Sequence, residues 1–223
     1  MIHVINNIQR PSAEMIHEFS SLASATIHEA SGRKGYIDYA IKPIARGLKI
    51  CGPAFTIQCA TGDNLMLHKA LERAQPGDVL VATVGGAFDY GYFGDLMATS
   101  AISRRVGGLC IDGCIRDSAT IIESGFPVFA RGFCIRGTVK ATIGVINYPT
   151  IFGGQTIFPG DLICGDDDGL VVIRLADLES VLEKAKARVA KEIEKAEVLK
   201  SGVSSVEFNK LGPIFEASKL VEE

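Results

Sequence analysis

None of the six cysteines belongs to a Cys-x-x-Cys pair, and the four histidines (His3, His17, His28, His68) do not fall at zinc-finger spacing. A thiolate zinc module is therefore excluded. Basic residues are not in surplus either: 23 lysines and arginines stand against 26 acids, a net charge of −3. A nucleic-acid binder needs such a surplus to neutralise phosphates, so nucleic acid is not an expected partner. No apolar run approaches the roughly 18 residues of a membrane span. The start, Met1-Ile2-His3-Val4-Ile5-Asn6-Asn7, lacks the basic-then-apolar plan of a signal peptide. Internal repeats and low-complexity stretches are missing as well. These absences lead to the expectation of a cytoplasmic chain that does not meet the membrane. Its thiols (Cys51, Cys59, Cys110, Cys114, Cys134, Cys164) are expected free and buried.

Glycine, by contrast, is abundant. The chain has 24 in 223 residues, well above the usual share of about 7% and without the period of collagen. In a folded chain that excess points to tight turns or to backbone brought close to a ligand.

Hydrophobic spacing predicts one helix over Ser12–Ala30, capped by Ser12. Short apolar runs at Ile50–Ile57, Val79–Val84, Gly108–Ile111 and Pro127–Ala130 read as strands. Helices are expected between them at Asn64–Ala74, Asp95–Val106 and Ser118–Ser124. Such alternation implies crossover units and a partly parallel sheet. Beyond about Thr138, strands at Val145–Tyr148, Gln155–Phe158, Asp161–Cys164 and Leu170–Ile173 follow without helices, joined as hairpins by Gly153-Gly154 and Asp168-Gly169. An apolar stripe (Leu178, Val181, Leu182, Ala185, Val189, Ile193, Ala196) then marks a long helix over 177–200. The tail after it (Val206, Phe208, Leu211, Ile214, Phe215) is too apolar for disorder and is expected to dock on its own or a neighbouring subunit. The division expected is a single α/β catalytic domain over 1–176 and a C-terminal helix and tail over 177–223.

The segment 85–117 is the densest in chemistry. Gly85-Gly86-Ala87-Phe88-Asp89-Tyr90-Gly91-Tyr92-Phe93-Gly94 follows a strand and opens the Asp95 helix. A glycine-rich loop entering a helix offers free N–H groups to an anion, although many such junctions are only tight connections. After the Gly108–Ile111 strand comes Asp112-Gly113-Cys114-Ile115-Arg116-Asp117, at the strand end where ligands collect in open α/β sheets. Arg116-Asp117 is consistent with an exposed turn carrying a weak local ion pair. It is equally consistent with a site: arginine holds a carboxylate or oxyanion, aspartate a hard divalent cation, and Asp95 faces them as a second acid. His28, Glu29 and His68 are assigned structural roles, though His68 could reach a substrate carboxylate. Asp166-Asp167-Asp168 reads as a solvated turn, and Arg104-Arg105 as complements of a helix C-terminus.

Asp95, twenty intervening residues, then Arg116-Asp117 resembles the hallmark of the class II 4-hydroxy-4-methyl-2-oxoglutarate / 4-carboxy-4-hydroxy-2-oxoadipate aldolases, which share a superfamily with the regulator of ribonuclease activity A. Ile27-His28-Glu29-Ala30-Ser31-Gly32-Arg33, Ile50-Cys51-Gly52-Pro53-Ala54, Pro76-Gly77-Asp78-Val79-Leu80 and Gly165-Asp166-Asp167-Asp168-Gly169 extend the similarity over about 20–200. The resemblance implies a mixed β-core flanked by helices, like the swivelling phosphohistidine domain, in homotrimers or hexamers with the site between subunits. It implies retro-aldol release of pyruvate from a 2-oxo acid substrate, with oxaloacetate decarboxylation as a side activity, using Mg²⁺ or Mn²⁺. Asp117 would ligate the metal. Backbone around Gly94, Leu96 and Met97 would hold the pyruvyl carboxylate, Arg116 the keto oxygen, and Asp95 a metal-bound water. Glu197 of a neighbouring subunit, or Glu194 beside it, would reach the outer shell. No lysine is called for as a Schiff base, since Lys69 and Lys140, the mid-chain lysines, lie outside the motif. Two alternatives stay open: a protein-binding regulator without chemistry, and another 2-oxo acid lyase or decarboxylase on the same site.

Overall fold

The computed structural model describes residues 2–223. Its strands are β1 (Lys42–Pro43), β2 (Ile50–Gln58), β3 (Val79–Thr83), β4 (Gly108–Ile111), β5 (Cys114–Ile115), β6 (Val128–Ala130), β7 (Gly132–Phe133), β8 (Val145–Ile146), β9 (Thr150–Phe152), β10 (Gln155–Ile157), β11 (Leu162–Asp166) and β12 (Gly169–Ile173). The helices are α1 (Ala13–Ser20), α2 (Ser24–Ala30), α3 (Leu65–Arg73), α4 (Asp95–Ser103), α5 (Ser118–Glu123), α6 (Leu178–Lys200), α7 (Ser205–Phe208) and α8 (Gly212–Ala217).

Strand β2 is the hub because its apolar run is continuous and can be buried on both faces. The main sheet has the order β1-β6-β4-β3-β2-β11-β12, with β8 also on β2. β2, β3, β4 and β6 run parallel through the crossovers α3, α4 and α5. β11 joins β2 antiparallel, and β12 returns beside it as a hairpin. Pro53 is tolerated in so central a strand because the ladder with β3 begins only at Ala54↔Val79.

Alternation along the strands sends Leu80, Ala82, Leu109 and Ile111 to the face under α3, α4 and α5, while Val79, Val81 and Cys110 face the other way. That second face packs on Ile37, Ile41, Phe152 and Ile157. A third cluster sets Phe19, Ile27, Leu178, Val181 and Ala185 against β11 and β12. The segment 36–44, bent by a turn at 39–40, nearly closes the sheet: Ile37 N–H donates to the Leu170 carbonyl, and Ile44 N–H to that of Val128. The result is the expected mixed β-core flanked by helices and followed by a long C-terminal helix.

Local readings differ in a few places. The helix expected over 12–30 is two helices, although Ser12 does cap the first by accepting from Met15 N–H. The break follows serine hydroxyls that bond back to their own helix, Ser20 to the His17 carbonyl and Ser21 to that of Glu18. The second helix starts afresh on a cap from elsewhere: Asp166 accepts from Ser24 N–H (2.8 Å) and Ser24 Oγ (2.6 Å). Asp166 is thus a capping group and not merely part of a solvated turn. Arg104 caps the neighbouring helix α3, donating to the Glu72 carbonyl at 2.6 Å. Three thiols are buried (Cys59, Cys110, Cys164), and three are half-buried (Cys51, Cys114, Cys134). In the tail, α7 rests on the end of α6, where Lys195 bonds Asn209 at 3.0 Å and lies over the Phe208 ring. Ile214, Leu220 and Val221 are exposed on this chain.

Candidate functional site

Two segments leaving the C-terminal ends of β3 and β4 are zipped together beyond the sheet. Cys114 N–H donates to the Phe88 carbonyl, Tyr92 N–H to that of Cys114, and Arg116 N–H to that of Phe93. Tyr92 is buried and pins the glycine-rich loop, its hydroxyl donating to the Ala87 carbonyl (2.7 Å) and accepting from Gly62 N–H (3.0 Å). Phe93 stacks on Phe126 beneath it. Gly91 is required by proximity, since a Cβ there would lie 2.4 Å from the Cys134 carbonyl oxygen and 2.9 Å from Arg116 Cβ.

This zipper delivers Arg116 and Asp117 to the N-terminus of α4. Asp117 adopts a left-handed conformation (φ 55°) at the start of α5 without using its side chain to cap that helix. Aspartate is among the few residues that tolerate this region. Its Oδ2 instead turns to α4, 3.4 Å from Asp95 N–H and 3.5 Å from Arg116 Nε. Gly94 makes the approach possible. In α4 itself, Asp95 Oδ1 accepts from Leu96 N–H at 2.7 Å, and Met97 N–H donates to the Gly94 carbonyl at 3.1 Å. Both amides expected to hold a carboxylate are thus engaged here. A ligand carboxylate reaching Leu96 N–H would have to displace Asp95 Oδ1.

Gly94, Asp95, Leu96, Met97, Arg116 and Asp117 all line one cleft of about 260 Å³. A second hollow, with Phe133 and Ile135, lies on the other side of Arg116-Asp117. The cleft's far wall contains residues that spacing did not single out for the site: Asn64, Thr138 and Lys140, together with His68 from α3. Burial and the nearby Lys140 ammonium push the His68 imidazole below its ordinary value. Asp63 holds this wall in place, its Oδ2 accepting from Ala141 N–H and Thr142 N–H at 2.7 Å each and its Oδ1 from Leu65 N–H at 2.8 Å. Burial opposes the Asp63 charge, but these backbone donors outweigh it and hold the carboxyl below its usual range. Asn64 Nδ2 donates to the Tyr92 carbonyl at 2.8 Å, while its buried Oδ1 has no partner among the described residues. The one available signal was the polar run Asp63-Asn64 ahead of an apolar helix; Lys140, 24 residues past Arg116, had none.

The donor set bears on which metal could sit here. Among the described residues, no group of three or more His, Cys, Asp or Glu is arranged to hold an ion. Two carboxylates, Asp117 and Asp95, share the cleft. Such a set suits a hard cation that keeps most of its waters, as Mg²⁺ does, and not zinc. Glu197 is outside the cleft and pairs with Lys200 at 2.7 Å. His28 lies in a separate small hollow beside Tyr36.

A family model described as RraA-like, Aldolase/RraA, matches residues 21–172, including every cleft residue named above. The chain belongs to the RraA-like family. The RraA-like chain is 36% identical over 193 residues to a Halalkalibacterium halodurans protein named "Putative 4-hydroxy-4-methyl-2-oxoglutarate aldolase", covering 86% of this chain and 92% of that one. An Aromatoleum aromaticum protein of the same name is 35% identical over 55% of this chain and 76% of its own length. Among solved structures, Streptomyces coelicolor RraAS2, titled an unusual member of the RNase ES inhibitor RraA protein family, superposes with a TM-score of 0.75. It is 28% identical, over 85% of this chain and 99% of that one. An uncharacterized protein from Pseudomonas syringae gives a TM-score of 0.77 at 26% identity, over 88% and 97%.

Proposed function

We propose that this RraA-like protein is a class II aldolase, cleaving a 4-hydroxy-4-substituted 2-oxo dicarboxylic or tricarboxylic acid to pyruvate and a second 2-oxo acid. The observation that carries this is the meeting of Asp95, Arg116 and Asp117 at the N-terminus of α4 in one cleft. Similarity to proteins named as aldolases supports it.

Retro-aldol cleavage needs positive charge where the enolate oxygen forms and a group that takes the proton of the departing hydroxyl. A Mg²⁺ or Mn²⁺ ion held by Asp117 and water would supply the electron sink when bound. Arg116, about half exposed and stretched past Gly137, directs its guanidinium toward the keto oxygen. The N-terminus of α4 attracts the pyruvyl carboxylate. On reaching Leu96 N–H that carboxylate displaces Asp95 Oδ1, and the Asp95 carboxylate so released orients a water that accepts the proton. On the opposite wall, Lys140 and His68 take the distal carboxylate. Glu197 enters from a neighbouring copy in a homotrimer or hexamer. Oxaloacetate presents the same 2-oxo acid head, so its decarboxylation is the expected side activity.

The decisive assay is pyruvate release from 4-hydroxy-4-methyl-2-oxoglutarate and from oxaloacetate, with Mg²⁺, with Mn²⁺ and after EDTA. Release from both that EDTA abolishes supports the proposal. Release from oxaloacetate alone assigns another 2-oxo acid lyase to the same site, and release from neither assigns a protein-contact role. Full activity in EDTA, with Lys140 tagged by borohydride in the presence of pyruvate, would replace the metal route with a Schiff base.

A further inference from the structure

Away from the cleft, Cys51 and Cys164 are direct cross-strand partners in the β2–β11 ladder. Ala54 N–H donates to the Asp161 carbonyl at 2.8 Å. The alternation of an antiparallel ladder then makes Cys51 and Cys164 a pair that shares no backbone hydrogen bonds. In such pairs the Cα atoms approach to about 4.5 Å and the side chains are closest. That separation lies inside the range a disulfide spans. The two sulfurs are 3.6 Å apart, so bond formation needs a closure of only roughly 1.5 Å. Cys51 is half-buried, and a hollow lined by Lys49, Gly107 and both thiols opens onto the pair.

We propose that Cys51 and Cys164 form a reversible dithiol–disulfide site, oxidised by a small hydroperoxide entering this hollow. Cys51, the accessible member, attacks the peroxide O–O bond as thiolate. An S–O bond forms and hydroxide leaves. Cys164 then attacks the Cys51 sulfenic acid; the S–S bond forms, and the hydroxyl departs with the Cys164 proton as water. In sum, two thiols and one hydrogen peroxide give one disulfide and two waters, sulfur losing the two electrons that peroxide gains. A dithiol reductant reverses it. Burial raises the Cys164 thiol well above its ordinary value, so Cys164 is not the sulfur that meets the peroxide first. The bond would tie residues 113 positions apart. It would also remove the S–H that Cys51 donates to the Ile16 carbonyl of α1.

The test treats the folded full chain with hydrogen peroxide, quenches it, unfolds it and alkylates the remaining thiols. The count of alkylated thiols falls by two from six, non-reducing peptide maps join the Cys51 and Cys164 peptides, and dithiothreitol restores all six. Cys51→Ser, at the half-buried position, abolishes the linked peptide. Should that variant fail to fold, the wild-type map decides alone. A Cys114–Cys134 link, a bond between chains, or six thiols surviving the dose overturns the proposal. None of these readouts involves catalysis, so they stand apart from the aldolase assay.

Discussion

A Cβ placed on Gly94 would lie 2.5 Å from Asp117 Oδ2. The space left by one missing methyl group is therefore what lets the carboxylate reach the start of α4. Gly94 itself has extended dihedrals (φ −126°) that any residue adopts. Gly94→Ala should accordingly fold and keep its thermal midpoint within a few degrees, while pyruvate release falls at least about tenfold, some 1.4 kcal/mol of barrier. Parallel activity and melting measurements check the split.

Asp117 holds a left-handed backbone for the sake of its side chain. Asp117→Gly removes the carboxylate and the conformational penalty, about 1 kcal/mol, together. The expected outcome is an inactive protein at least as stable as the parent by urea denaturation. Loss of stability would mean that the carboxylate has a structural role.

Tyr92→Phe deletes one buried hydroxyl with two partners. It should cost about 1–3 kcal/mol, because the Gly62 N–H is left unsatisfied. Limited proteolysis should find new cleavage between residues 85 and 91, where the loop loses its pin.

Asp63 and Asp112 give opposite pH signatures. The Asp63 carboxyl is held below its usual range. Its contribution is present above the unfolded value near 3.9 and is lost as pH falls through the folded value. Asp63→Asn should therefore destabilise at pH 7 and much less at low pH. Burial pushes the Asp112 carboxyl up to about 6. Its charge opposes folding, and the penalty grows as pH rises from about 4 to 6 and persists above. Asp112→Asn, which keeps an acceptor for Val84 N–H, should gain stability on the wild type across that interval. Melting curves from pH 3 to 8 check both.

If Lys140 and His68 receive a distal carboxylate, Lys140→Ala should raise KM for 4-hydroxy-4-methyl-2-oxoglutarate about tenfold with a smaller change in kcat. Steady-state kinetics separate the two.

Much of this was legible in the sequence where local pattern and local structure coincide. The run 108–111 is a strand from end to end, and Asp95 opens its helix, because a continuous apolar segment and a glycine-rich loop running into an acid carry their own signals. The Asp95, Arg116-Asp117 spacing named three residues, on two crossover units, that line one cleft. What escaped depends on contacts distant in sequence. Asp166 caps a helix 142 residues away, so its acidic run looked like a turn. Thr138 and Lys140 enter the cleft because Asp63, 78 residues from Ala141, and a backbone bridge of residues 62–64 to Val139 hold that segment in place. The break at residues 21–23 depends on serine hydroxyls bonding back to carbonyls, which hydrophobic periodicity does not register.

The segment 36–44 has a further effect through its bonds to β12 and β6. Each outer rim of the sheet already has a partner, so neither offers a row of free N–H and C=O groups to another chain. Strand addition, the usual route by which a sheet recruits a copy of itself into fibres, is closed off. A variant that frees 36–44 should therefore be one that aggregates.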